Sequence, residues 1–137
     1  MEGPPAVAIP QQLPITQRWC FSEQRCIDLE VARTPEQQRI GMMQRPALPP
    51  LRGMWFPFKR PQRLRFWMHN TLAPLDMVFL REGRVIHIEE RVPVCPRLPC
   101  PSYGPSGLGD GVIELGAGEA GRLGIKLNDD VRLEAIP

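Results

Sequence analysis

The sequence predicts a mostly β (α+β) domain, a compact β-barrel-like or sandwich fold with two short helices. Three observations carry this. Seventeen prolines and twelve glycines in 137 residues favour short elements joined by turns over long helices. Seven or eight short apolar runs recur between turn signals. Residues 25–32 alternate cleanly, with Ile27, Leu29 and Val31 interleaved with Asp28 and Glu30, as a strand with one buried and one wet face does.

Residues 1–12 read as a flexible Pro-rich arm, which leaves 13–137 as a single β-rich domain. Strands are expected over 15–21 and 25–32, around a Ser22-Glu23-Gln24 turn. A short helix follows. Thr34 caps it, Pro35 takes its first position and Gln37 completes a capping box. Ile40 and Met43 share one of its faces, and Pro46 and the Pro49-Pro50 pair stop it. Apolar runs cover 53–58, 64–70 and 75–80. The Glu82-Gly83 turn leads into a strand over 84–92, and a Pro- and Gly-rich loop spans 93–109. A short strand is expected over 112–115, then a helix within 117–123 ended by Gly124. Asn128-Asp129 turns the chain into a last strand over 131–136. The pattern leaves strand order open.

The net charge of +2 gives no electrostatic case for nucleic acid or an anionic membrane. The basic stretch Lys59-Arg60-Pro61-Gln62-Arg63-Leu64-Arg65 sets Arg63 and Arg65 opposite Leu64 and Phe66. That is the pattern of a solvated strand face or of a site for an acidic protein partner. No apolar run reaches the roughly 18–20 residues of a membrane span. The segment 1–14 lacks the charged start and apolar centre of a signal peptide. Either the chain is cytoplasmic, or a signal has been removed ahead of Met1.

The run Phe66-Trp67-Met68-His69-Asn70-Thr71-Leu72-Ala73-Pro74-Leu75-Asp76 resembles the hallmark of the domain of unknown function 192 (DUF192) family. Family members usually carry Lys where this chain has His69. Further matches lie in family order: Val31-Ala32-Arg33-Thr34-Pro35-Glu36 with Gly41-Met42-Met43, Gly53-Met54-Trp55-Phe56, Cys100-Pro101-Ser102-Tyr103, Glu114-Leu115, and Leu123-Gly124-Ile125. The resemblance covers roughly residues 25–136. It implies a small, barrel-like β domain, often behind a signal peptide or lipoprotein leader, and it implies no particular reaction.

In a strand over 66–71, Phe66, Met68 and Asn70 share one face and Trp67, His69 and Thr71 the other. Phe66 and Met68 are expected to be buried. The second face offers an indole, an imidazole and a hydroxyl, the mixture that lines ligand pockets. The plainer alternative packs Trp67 in the core and bonds His69 to a backbone carbonyl. Asn70 and Asp76 flank the bend 71–74, where such side chains commonly bond backbone amides. The catalytic alternative pairs His69 with Asp76 as base and orienter, with no persuasive nucleophile beside them. His87 sits between Ile86 and Ile88 and is expected on the wet face of its strand. No cofactor and no metal site are expected.

The four cysteines form two close pairs, Cys20/Cys26 and Cys95/Cys100. Neither has the spacing of a redox C-x-x-C site or a zinc knuckle. Two local disulfides fit best, and they imply an oxidising, extracytoplasmic compartment. A four-cysteine zinc site of unusual spacing and buried free thiols are the other readings. The functional expectation is a binding or accessory domain of the cell envelope. Its loop 93–109 and hairpin 66–76 would recognise a small molecule or an envelope protein through Trp67, His69, Asn70, Asp76 and Tyr103. The alternatives are a small hydrolase or isomerase using His69 and Asp76, and a structural subunit that docks through Leu98 and Leu108.

Overall fold

The structure, a computed structural model, describes residues 9–137. Residues 1–8 of the expected arm lie outside the described residues. Beyond them the Gln11 amide donates to the carbonyls of Gln37 and Gly41 at 2.9 and 3.1 Å. The Leu13 N–H donates to Glu30, so the chain is tied down before the first strand begins.

β1 (Ile15–Cys20) and β2 (Cys26–Val31) pair antiparallel with Cys20 opposite Cys26, and these two cysteines are bonded. The alternation in β2 buries Ile27, Leu29 and Val31. β3 (Arg52–Gln62) then pairs with β2 in parallel. A parallel pair needs a crossover, and residues 32–51 provide it. That crossover carries α1 (Pro35–Ile40), which has the Thr34–Gln37 capping box and Pro35 in its first turn. β3 runs through the basic stretch as far as Gln62, longer than the apolar run alone suggested.

The remaining strands are β4 (Phe66–Trp67), β5 (Leu75–Arg81), β6 (Arg84–Val92), β7 (Ser102–Tyr103), β8 (Gly109–Gly116) and β9 (Leu133–Ala135), with α2 (Glu119–Leu123) between the last two. One mixed sheet holds seven strands in the order β6-β5-β8-β3-β2-β1-β9, and β4 and β7 form a separate two-stranded sheet. Strands β5 and β8 lie inside the large sheet and are buried on both faces. One face packs Val78, Leu80, Ile113 and Leu115 against Ile27, Leu29 and α2. The other packs Met77, Phe79 and Val112 with Met54, Phe56 and Met68 under the small sheet. This explains why 75–80 reads as an unbroken apolar run.

The fold is mostly β with two short helices, as expected, and barrel-like describes it only loosely. The sheet curls, but its edge strands β6 and β9 do not pair. Backbone bonds from a turn bridge them instead: Val85 donates to Asp129, Asn128 to Val85, and Val131 to Gly83. Val131 therefore lies outside β9, which is shorter than expected. The expected hairpin 66–76 is also corrected. β4 pairs with β7 and β5 with β6 and β8, so the link between β4 and β5 passes from one sheet to the other. Only Phe66 and Trp67 of the apolar run 64–70 are strand, because their sole partner, β7, has two residues.

Asp76, at the start of β5, is fully buried. Its carboxylate accepts the backbone N–H groups of Arg91 at 2.8 Å, Gly118 at 3.0 Å and Ala120 at 2.8 Å. Gly118 precedes α2 at φ 87°, a conformation that favours glycine. Arg91 sits at φ 51° at the end of β6. Three segments thus depend on one side chain. Replacing Asp76 with Ala strands the buried Ala120 N–H and the part-buried N–H groups of Arg91 and Gly118, and the expected loss is about 3–5 kcal/mol in urea unfolding. A loss under about 1 kcal/mol would refute this role.

Candidate functional site

The site begins where α1 ends. Gly41 takes φ 48°, and a Cβ there would lie 3.4 Å from the Phe56 ring. The chain doubles back at once, and the N–H of Met43 donates to the Ile40 carbonyl. Met42 and Met43 are buried as a result. Opposite stands β4. Phe66 packs edge-on against Phe56, Phe58 and Phe79, with ring centroids 5.0, 6.3 and 6.0 Å away. Trp67 is 43% exposed. Its ring centroid is 5.1 Å from that of His69.

Between α1 and β4 lies a cavity of about 270 Å³. Phe56, Phe58, Phe66 and Trp67 give it aromatic walls, Met42 and Met43 add soft apolar surface, and His69 and Thr71 add polar groups. Arg39 and Arg65 also line it and are exposed. Arg39 is ion-paired with Glu36 at 2.7 Å. Arg65 Nη1 donates to the carbonyls of Leu64 and Pro105 at 2.7 and 2.8 Å. Among the described residues no carboxylate pairs with Arg65.

Gln38, Ile40 and Gly41 line it too, the Gln38 amide donating to the carbonyls of Ala32 and Pro57, and Glu114 of β8 is the most unusual lining group. It lies in register between Met54 of β3 and Met77 of β5 and is 4% exposed. Among the described residues it has no hydrogen bond or ion pair. Burial without a partner pushes its carboxyl up to about 8. Glu119 shows the opposite outcome. The Arg122 guanidinium bonded to it holds its carboxyl below the usual range.

The residues singled out from sequence separate into two groups. Trp67, His69 and Thr71 line the cavity together. Met68 is buried on the opposite side as expected, whereas Phe66 is only half-buried because it too faces the cavity. Asn70 is not a lining residue. It turns the chain at φ 62°, and its carbonyl accepts the backbone and side-chain N–H groups of Gln44. Asp76 is committed to its three amides and lies apart from His69. Tyr103 pairs with Phe66 and packs on the core behind β4. Loop 93–109 backs the site without lining it, and it exposes Val94, Leu98 and Leu108. His87 is half-buried, with Nε2 2.8 Å from Glu89 Oε1.

Sequence reasoning missed Glu114 as a site residue. The available signal was an acid inside the apolar strand Val112-Ile113-Glu114-Leu115, where it has to be paired, neutral or functional. Among the described residues no group of three or more His, Cys, Asp or Glu side chains can hold a metal ion. Cys95 and Cys100 are bonded, so both cysteine pairs are disulfides.

The sequence model of DUF192, described as "Uncharacterized ACR", matches residues 19–133. The chain belongs to the DUF192 family. A crystal structure of a protein of unknown function from Novosphingobium aromaticivorans is similar at 32% identity and a TM-score of 0.78. The match covers 95% of this chain and 93% of that one. A Sinorhizobium meliloti protein, provisionally described as a transcription regulator, is similar at 30% identity and a TM-score of 0.71, over 88% of this chain and 92% of that one. No protein of curated function matches. Within this DUF192 domain four of the six motifs that carried the resemblance reach the cavity, and Cys100–Tyr103 and Leu123–Ile125 do not. Gly41-Met42-Met43, Phe56, Phe66-Trp67, His69, Thr71 and Glu114 come from four separate motifs and line one space.

The buried acid predicts a pH dependence of stability. In the unfolded chain Glu114 ionises near 4.5, and in the folded protein near 8. Below the lower value both states hold the proton and the stabilisation is complete. Between the two values only the folded state holds it, so stability falls as pH rises, by about 1.4 kcal/mol per unit. Glu114→Gln should remove that slope and be the more stable form at pH 8. Parallel stability–pH profiles for the two proteins between pH 5 and 8 would rule this out.

Proposed function

We infer that this protein is a small-molecule-binding domain and that the cavity between α1 and β4 is its binding site. One observation carries the reading: four separate family motifs supply residues to a single cavity that holds an acid with no partner among the described residues. Apolar walls with a few polar anchors are the usual makeup of a ligand site. A volume of about 270 Å³ suits a ligand of roughly ten heavy atoms or fewer, toward the low end of known pockets. A structural acid would be paired, as Asp76 and Glu30 are. Glu30 shares a bidentate contact with Arg45 at 2.7 and 2.8 Å.

The alternative of a hydrolase or isomerase using His69 and Asp76 now rests on different residues. The acid that shares a cavity with His69 is Glu114. Its raised pKa suits general acid–base work, but the only hydroxyl among the lining residues is that of Thr71.

The same reading puts the domain in the cell envelope or another oxidising compartment. Two disulfides in a chain of this size support it. Among the described residues no helix is long and apolar enough to cross a membrane.

Two measurements test these statements. A neutral aromatic probe, 4-methylphenol, should bind with Kd of about 1 mM or below, perturb Trp67 fluorescence, and lose binding in Thr71→Trp, which fills the cavity. Undiminished binding to Thr71→Trp, or none to the native protein, would defeat the pocket reading. Protein matured in its native compartment should show no reactive thiol under denaturing labelling, and four free thiols would remove the envelope assignment.

A further inference from the structure

Glu114 lines the cavity and is nevertheless only 4% exposed, with no hydrogen bond or ion pair among the described residues. Its register neighbours on β3 and β5 are Met54 and Met77, whose side chains offer no N–H or O–H. The contents of the cavity therefore have to satisfy this carboxyl.

The surroundings restrict what those contents present. Burial among apolar side chains favours the protonated acid, and Glu114 keeps its proton up to about pH 8. In that form it offers an O–H donor and a carbonyl acceptor side by side. A cation would require the proton to leave, and it would share the cavity with the guanidinium groups of Arg39 and Arg65. Arg39 is paired with Glu36, but no described carboxylate offsets Arg65. An anion beside Glu114 gives up its hydration for a single O–H donor in apolar surroundings. A ketone or ether uses that donor and leaves the carbonyl unmet. A primary amide or a lactam satisfies both atoms at once. Its C=O accepts from the carboxyl O–H while its N–H, on the same side, donates to the carboxyl C=O. Phe56, Phe66, Met42 and Met43 can then enclose the apolar remainder of the molecule.

We propose that the pocket binds a small neutral molecule through a primary amide or lactam group, which pairs with the Glu114 carboxyl by two hydrogen bonds. This rests on the cavity being a ligand site at all.

The pairing needs the Glu114 proton. Affinity should be level below about pH 8 and fall by up to about tenfold per pH unit above it. Met54 and Met77 do not titrate. The α1 segment brings Arg39 to the cavity, with Glu36 bound to it, and the β4 segment brings Arg65 and His69. An imidazole is the one group of these that ordinarily titrates near neutrality. His69 is unchanged in Glu114→Gln, so comparing that variant with the native protein isolates the acid.

The test uses the full chain and calorimetric titration at about pH 6.5 with probes of equal size that differ in the group offered to Glu114. Benzamide presents donor and acceptor, acetophenone an acceptor alone, benzoate an anion and benzamidine a cation. Benzamide should bind with Kd of about 1 mM or below, and each of the others at least about tenfold more weakly. Benzamide titrations in two buffers of different ionisation enthalpy should report no proton exchanged. Glu114→Gln keeps a donor and an acceptor. It should hold benzamide within about threefold of native affinity and lose the fall above pH 8. Glu114→Leu should weaken benzamide about tenfold or more. The ranking of the probes on the native protein decides the matter even if a variant fails to fold. If 4-methylphenol binds but benzamide binds no tighter than acetophenone, the amide assignment falls and the pocket reading survives. A preference for benzamidine with release of a proton would make Glu114 a cation site, and a preference for benzoate would shift recognition to the arginines. Either result overturns the amide assignment. If neither 4-methylphenol nor any of these probes binds, both readings fall together.

Discussion

The Asp76 carboxylate, with three backbone N–H groups converging on it, is the contact on which the architecture turns. It joins the start of β5 to the end of β6 and to the entrance of α2. β5 and β8 are buried on both faces, so a polar side chain directed into the packed core there has to find its partners within the protein. Asp76 meets that constraint fully. In doing so it fixes where β6 ends and where α2 seats against the core around Ala120 and Leu123. The curled sheet can then stay open at its β6–β9 edge, because three backbone bonds around the 128–131 turn are enough to span the gap.

Glu114 faces the same constraint and resolves it the other way. It lies on the strand next to Asp76, in register with Met77, yet no amide or cation converges on it from the described residues. Its neighbours are thioethers and phenyl rings. The result is a carboxyl held neutral well above its ordinary range, in the lining of a cavity. Retaining such a group costs stability at neutral pH, and a glutamine or methionine there would cost less. The contrast between two acids on paired strands, one saturated and one bare, separates scaffold from site more sharply than either residue does alone.

Much of the fold was legible. The Thr34–Gln37 capping box and the local cysteine pairs are short-range signals and formed as their patterns predict. The β2 alternation buried Ile27, Leu29 and Val31, although Glu30 of its expected wet face is buried too and paired with Arg45. What failed was long-range. The run 64–70 has the composition of a strand, but its length was set by a two-residue partner some 35 positions away. Asp76 read as a turn-former because sequence distance suggested nearby amides. It does bond amides, but those of Arg91, Gly118 and Ala120, which only the tertiary fold brings near. The site was half-legible for the same reason. Period-two alternation put Trp67, His69 and Thr71 on one face, and that face does line the cavity. The opposing wall from α1 and the acid from β8 belong to distant segments. No periodicity links them to β4.

His69 stands where the resemblance to DUF192 implies a Lys. A lysine at the cavity wall would place a fixed positive charge facing Glu114. Opposite charge favours ionisation, so such a pair would draw the carboxyl down and fill its unmet valence from inside the protein. An imidazole does this only when it is itself protonated, and it presents a smaller, flatter edge. In this chain no described cation completes the acid, and Glu114 lines the cavity as a carboxyl held neutral well above its ordinary range.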